Sequence, residues 1–484
     1  MTAHVIHATV HQRRRCYSSE QNIEFPGDCG VAIVYDTYQR EARPPLHLLS
    51  AADPARVLAW RDGKAVSAAQ FLAHVHAVAD VLPSGTAAVN LCEDRYAFLV
   101  AFCAIVLRGQ INLLPSSRAP QAVDDVMAAH PGSYALGEQA LVPAPPGYRQ
   151  LPSLKDTPAL GADTTWPLLP ADQVVAIGYT SGSTGTPSAN VKTWHSFNAS
   201  NAGNLAMLHA AVGPRFEVVA TVPPQHMFGL EMSVLMPLLG HVGVHAGRPF
   251  FPADVAAALA AVPAPRVLVT TPVHLRALVE SGIVLPPIAA MLSATAPLPV
   301  ELARAAEQCF GAPVLEVFGS TETCVVASRR PTLDEDWSLY AGVTLHPQPD
   351  GTSVTAPQLT APVTLADIVN LSEDGRRFRL RGRQADMLEI AGKRASLGDL
   401  SRRLLAIPGV QDGVVFQLDG ADALGVHRIA ALAVAPGLDE HTILDALRRA
   451  IDPLFLPRPL RLVDALPRNE TGKLPRAALL ALLQ

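Results

Sequence analysis

The chain has no Cys-x-x-Cys pair, and its six cysteines, at positions 16, 29, 92, 103, 309 and 324, do not cluster near histidines. That spacing suggests neither a metal site nor a disulfide framework, and a reducing cytoplasm fits it. Long apolar runs are missing too. The longest, Ala97 to Leu107, ends at Arg108 after eleven residues; it is too short to cross a bilayer and reads as a buried helix. Neither sign of charge dominates: 38 basic against 43 acidic side chains leave −5, so no nucleic acid or other polyanion is implied as a partner. The first 44 residues hold Arg13, Arg14 and Arg15 but lack the apolar run and small-residue cleavage site of a secretory signal, and they read as a tail or an overlong start. There is no Walker A loop, no G-x-G-x-x-G opening a helix, and no repeat of fixed period.

What is present is the balance of a globular protein, with 49% apolar and 17% charged residues over 484 positions, enough for one very large domain or two to three ordinary ones. From Leu48, β-rich runs such as TAAVNL and FEVVATV alternate with Ala/Leu-rich helical runs such as ADVAAALAAV. Such alternation favours an α/β fold, parallel sheet covered by helices. The texture changes near Leu380, where RLRGRQADMLEIAGKRAS is charged and precedes a stretch with its own helices, DLSRRLLAI and DEHTILDALRRAI. The expected division is a tail over 1–44, a large domain over 45–383 and a small α+β domain over 384–484. Pro453, Pro457 and Pro459 then lead into an extended stretch toward the end.

The segment YTSGSTG, Tyr179 to Gly185, follows the strand-like run VVAIGYT. Successive backbone N–H groups in a Gly/Ser/Thr-rich turn after a strand form an anion-binding concavity, and the hydroxyls add donors for phosphate oxygens. By itself such a loop is more often a surface turn. Three further pieces lie downstream in order: VFGSTET, with Glu322 after Gly319; RGRQAD, with Arg383; and LPRNETGKLPR, with Lys473 after Gly472.

Together these motifs resemble the AMP-forming adenylate ligase superfamily, which includes acyl-CoA synthetases, aryl acid ligases and the adenylation domains of peptide synthetases. The resemblance covers residues 48 to 484 and implies a large ATP- and acyl-binding domain with a small mobile C-terminal one. It implies ATP and Mg²⁺ as cofactors and an acyl-adenylate that a thiol then attacks. Thr180, Ser181, Gly182, Ser183, Thr184 and Gly185 would cradle the β- and γ-phosphates, and Glu322 would hold Mg²⁺. Adenine would lie between Thr295, Ala296 and Pro297 on one side and Phe318, leading into Gly319, Ser320 and Thr321, on the other. Asp367 would accept from the ribose hydroxyls, and Arg383 would meet the ribose or the α-phosphate. Lys473 would bridge the attacking carboxylate and the α-phosphate. In TVPPQHMFGLE, His226 stands where relatives place a gating aromatic, and Met227, Phe228 and Gly229 would wall the acyl pocket with Ser293. No aspartate falls between Thr221 and Leu230, which disfavours an amino acid substrate. The pivot between half reactions would be Ala385 or Asp386, with Gly392 beside the thiol's path.

One departure stands out. After Pro187 relatives usually read Lys-Gly, whereas this chain reads Ser188-Ala189-Asn190-Val191-Lys192. Lys192 would either reach the same pyrophosphate from four residues along or be a plain surface lysine. The short form with its TSGSTG…P…KTW loop is similar to ligases of bacterial aryl-polyene pigment assembly, which load a hydroxybenzoate or related aryl acid onto an acyl carrier protein. Free coenzyme A is the alternative acceptor. A catalytically silent nucleotide-binding protein is the alternative of another class, and the altered loop is its one support.

Overall fold

The structure is a computed structural model and describes residues 43–483 apart from 51–52, 156, 161–164, 181–187, 350, 384–386, 391–392, 422–426, 452 and 470–471. A first sheet contains β1 (Ala87–Asn90), β2 (Ile111–Leu114), β3 (Tyr134–Gly137), β4 (Val174–Thr180) and β5 (Ser188–Thr193) in the order β5-β4-β2-β1-β3, with Arg149–Gln150 at its edge. All of its pairings are parallel except β4 with β5, which form an antiparallel hairpin around residues 181–187.

A second sheet of eleven strands holds β6 (Glu217–Ala220), β7 (Gly243–His245), β8 (Arg266–Thr270), β9 (Ala290–Ser293), β10 (Val314–Ser320), β11 (Cys324–Arg329), β12 (Trp337–Leu339), β13 (Asp367–Leu371) and β14 (Arg377–Arg383). The hairpin Val57–Arg61/Lys64–Ser67 completes it beside β7. Strands β6 to β10 run parallel, and β11 to β14 add antiparallel partners.

Between the sheets lies α1 (Arg95–Leu107), the apolar run noted in the sequence. A helix apolar all round has no face for solvent, and every residue from Arg95 to Val106 is buried. Its start is set by Asp94, whose Oδ1 accepts from the Ala97 amide at 2.8 Å. The fully buried Arg95 guanidinium donates to the Ala220 and Val222 carbonyls, both at 2.8 Å, and so fixes the chain as it leaves β6. A second helix, α2 (Trp194–Val212), begins directly after β5 with a capping box of Thr193 and Ser196.

Beyond residue 386 the chain forms separate sheets: β15 (Met387–Ile390) with β16 (Lys393–Ser396), and β17 (Asp412–Ala421), β18 (His427–Val434) and β19 (Leu460–Leu462). Among the described residues, the apolar clusters here draw on residues 397–483.

Candidate active site

The carboxyl ends of parallel strands are where open α/β sheets bind ligands. Here β6, β8, β9 and β10 end beside Thr221, at Thr270, at Ser293 and at Ser320. Thr221 Oγ1 lies 3.1 Å from Thr270 Oγ1 and 2.8 Å from His274 Nδ1, while the neighbouring Ser293 Oγ is buried without a partner. An unsatisfied buried hydroxyl at a strand end marks a place where a ligand or water completes the bonding.

After β6 the chain turns through PPQ to His226, which precedes α3 (Met227–Leu230); a π turn, Glu231–Leu235, continues it into α4 (Met236–Leu239). π turns inside helices recur at functional sites. Met227 and Phe228 are buried. Gly229 permits the fold, because a Cβ there would overlap the Pro223 carbonyl oxygen. His226 Nδ1 is buried with no hydrogen-bond partner. Burial, and secondly the charge of Lys473, pushes the His226 pKa down to about 4, so the imidazole is neutral at pH 7.

The charge of Lys473, far along the chain, is thus felt at His226. Gly472, at φ +80°, lies where a Cβ would be 3.4 Å from Val273 Cγ2 and 3.9 Å from Ala296 Cβ. The loop carrying Lys473 is pinned from behind. Arg468 donates to Asp412 at 2.9 and 2.7 Å and to the Gly472 carbonyl at 2.8 Å, and Asn469 Oδ1 accepts from the Lys473 amide at 2.9 Å. Lys473 itself is exposed.

Ala296 belongs to the turn Thr295–Pro297, and Thr295 has φ +80°. A β-branched residue in the left-handed region is strained, and such strain gathers at ligand sites. Phe318 packs with ring centroids 5.6 Å from Trp337 and 5.4 Å from Phe378. Gly319 has no room for a side chain against Cys324 and Val325. Ser320 and Thr323 exchange hydrogen bonds across the turn that carries Thr321 and Glu322. Thr180 Oγ1 donates to Glu322 Oε1 at 3.4 Å, joining the end of β4 to this turn. Asp367 and Arg383 are paired partners in the β13–β14 ladder.

Ser181, Gly182, Ser183, Thr184 and Gly185, the hinge residues Ala385 and Asp386, and Gly392 lie outside the described residues. Lys192 is not a surface residue: it is 3% exposed, and its Nζ donates to the Glu322 carbonyl at 2.7 Å. Residues the sequence did not single out also hold the site, namely Arg95, Glu231, Gln358, Arg468 and Asp412. Only Arg95 carried a signal, a charge at the head of an apolar run. Among the described residues no three metal-ligating side chains gather. One carboxylate beside a hydroxyl is an all-oxygen set that fits Mg²⁺ when phosphate and water supply the remaining ligands.

Fold and site together define an adenylate-forming α/β enzyme. The fold is like that of o-succinylbenzoate–CoA synthetase from Bacillus subtilis, solved with its acyl-adenylate intermediate, with a TM-score of 0.72 at 19% identity over 88% of this chain and 95% of that one. Residues 50–348 match the AMP-binding enzyme family, and the chain belongs to it. It is similar to a sulfoacetate–CoA ligase from Cupriavidus necator, 27% identical over 381 residues, which are 68% of this chain and 72% of that protein. It is also similar to a 4-coumarate–CoA ligase from Halorhodospira halophila, 30% identical over 307 residues, 61% of this chain and 73% of the relative. Its reaction class is that of an AMP-forming acid–thiol ligase.

Proposed function

We propose that the chain adenylates an aryl acid, a hydroxybenzoate or a close relative, and passes the acyl group to the phosphopantetheine thiol of an acyl carrier protein in the cytoplasm, as pigment-assembly ligases do. The observation that carries the adenylation step is the approach of the Lys473 loop to Val273 and Ala296, with the lysine's charge felt at His226. That approach would set a cation at the carboxyl edge of the sheet, where acid and α-phosphate would meet. There the ammonium draws the two anions together and offsets charge that grows in the transition state. Neutral His226 would border the carboxylate without adding a second positive charge. Asp367 and Arg383 would orient the ribose, the Thr295–Pro297 turn and Phe318 the adenine, and Thr180 with residues 181–185 the phosphates. Glu322 would hold Mg²⁺, which when bound neutralises phosphate charge. The boundary at 383/384 would let the small domain turn, exchanging Lys473 for the thiol.

An aromatic substrate is supported by the similarity to a 4-coumarate ligase, and the lack of an aspartate between Thr221 and Leu230 disfavours an amino acid. Coenzyme A as acceptor is the second reading, favoured by the coenzyme A ligases among the relatives. Exchange of labelled pyrophosphate into ATP, run over a panel of acids, tests the first half: hydroxybenzoates should support it, and a response to long fatty acids alone would overturn the aryl reading. Lys473→Ala should slow that exchange a hundredfold or more, about 3 kcal/mol. Thioester formation with coenzyme A against holo carrier protein separates the two acceptors.

A further inference from the structure

The hairpin loop lacks the lysine expected after Pro187, and the nearest cation downstream turns inward. Lys192 lies on β5 opposite Ala176 of β4, and its ammonium reaches across to the carbonyl of Glu322. The turn bearing Glu322 is gripped from two further sides. Gln358 Nε2 donates to the Thr323 and Val325 carbonyls at 3.1 and 3.2 Å, and the Glu231 carboxylate accepts from the Val325 amide at 3.2 Å. Glu231, fully buried on the π turn, also accepts from Ser200 and from Asn204 Nδ2. Burial raises the pKa of both Glu231 and the Cys324 thiol, and the Lys192 charge acts against that rise, so the ammonium lies within electrostatic reach of both while the Glu322 carbonyl is its contact. A cation costly to bury is thereby paired.

The placement has a geometric consequence. Thr180, at the last position of β4, donates to the Glu322 carboxylate, and Lys192, on the other strand of the same hairpin, donates to the Glu322 carbonyl. Both arms of the phosphate-loop hairpin are therefore tied to the carboxylate turn by hydrogen bonds.

We propose that Lys192 is a positioning residue that fixes the Glu322 turn against the β4–β5 hairpin, so that Mg²⁺ carried by ATP meets the carboxylate at the mouth of the loop. This rests on the reading of Glu322 as the metal-side carboxylate. The missing loop lysine is thus answered from beneath the site, without contact to pyrophosphate.

The test is calorimetric ATP binding to the acid-free enzyme at graded Mg²⁺. Lys192→Met removes charge and donor at nearly constant length; Lys192→Met combined with Glu231→Gln also removes the carboxylate that the first change strands, guarding against loss of fold. In both variants the Mg²⁺ concentration for half-maximal ATP binding should rise about tenfold, and saturating Mg²⁺ should restore most of the affinity. An unchanged Mg²⁺ dependence, or failure of both variants to fold, would make the lysine structural and overturn the assignment. A deficit that saturating Mg²⁺ does not repair would overturn it in favour of direct phosphate contact. Absence of ATP binding by the unaltered enzyme would instead sink the functional reading itself.

Discussion

His226 shows how a single side chain acquires its chemistry from its surroundings. Burial comes first and the nearby Lys473 second, and both disfavour the imidazolium, lowering its pKa from 6.5 to about 4. The unfolded chain therefore binds more protons than the folded one between about pH 4 and 6.5, and stability rises with pH through that window. NMR of ring-labelled histidine should show one residue titrating near pH 4, and His226→Asn should remove up to about one proton from the acid-side slope of stability. A midpoint near 6.5 would contradict the burial. In sequence, His226 was one histidine among sixteen, picked out by its segment. Its neutrality was not legible there, because a pKa depends on what the fold packs around the ring. Lys192 makes the same point: its presence four residues late was plain, whereas its inward direction depends on the β4–β5 pairing.

At the scale of elements, short motifs are held by scaffolding distant in sequence. The Lys473 loop depends on Arg468 and Asp412, one from the approach to the last helix and one from the start of β17, joined at 2.9 and 2.7 Å. Arg468→Ala should lower the single-turnover adenylation rate about tenfold by loosening the approach of Lys473. Asp412→Ala should do much the same, and the double variant should be little worse than either, the coupling expected of residues in contact. Additive losses would separate the pair. The elements themselves were largely readable. VVAIGYT is β4 over Val174–Thr180, the apolar run is the buried α1, and the two C-terminal helices fall at Leu397–Leu405 and Glu440–Ala450. The stretch after Pro453 was expected to be extended, yet it also contains the 3₁₀ turn Pro453–Phe455 and the helix Arg476–Ala481, whose short apolar pattern packs with β17 and β18.

For the molecule as a whole, the proposed two-step cycle requires the region beyond the 383/384 boundary to take a second orientation. Among the described residues its apolar clusters draw on residues 397–483, as such a turn would require. Ala385→Pro, which locks one backbone φ, should leave pyrophosphate exchange within about threefold while thioester formation falls by a hundredfold or more. Equal loss in both steps would place the pivot elsewhere.

The chain's order of motifs determined the α/β class and the family and named candidate site residues, because periodicity and turn chemistry act between near neighbours. Only tertiary structure decided that the Lys473 loop comes beside Ala296, that Glu231 and Gln358 brace the Glu322 turn, and that Lys192 turns inward to the Glu322 carbonyl. Those contacts join segments that become adjacent solely through sheet register and burial.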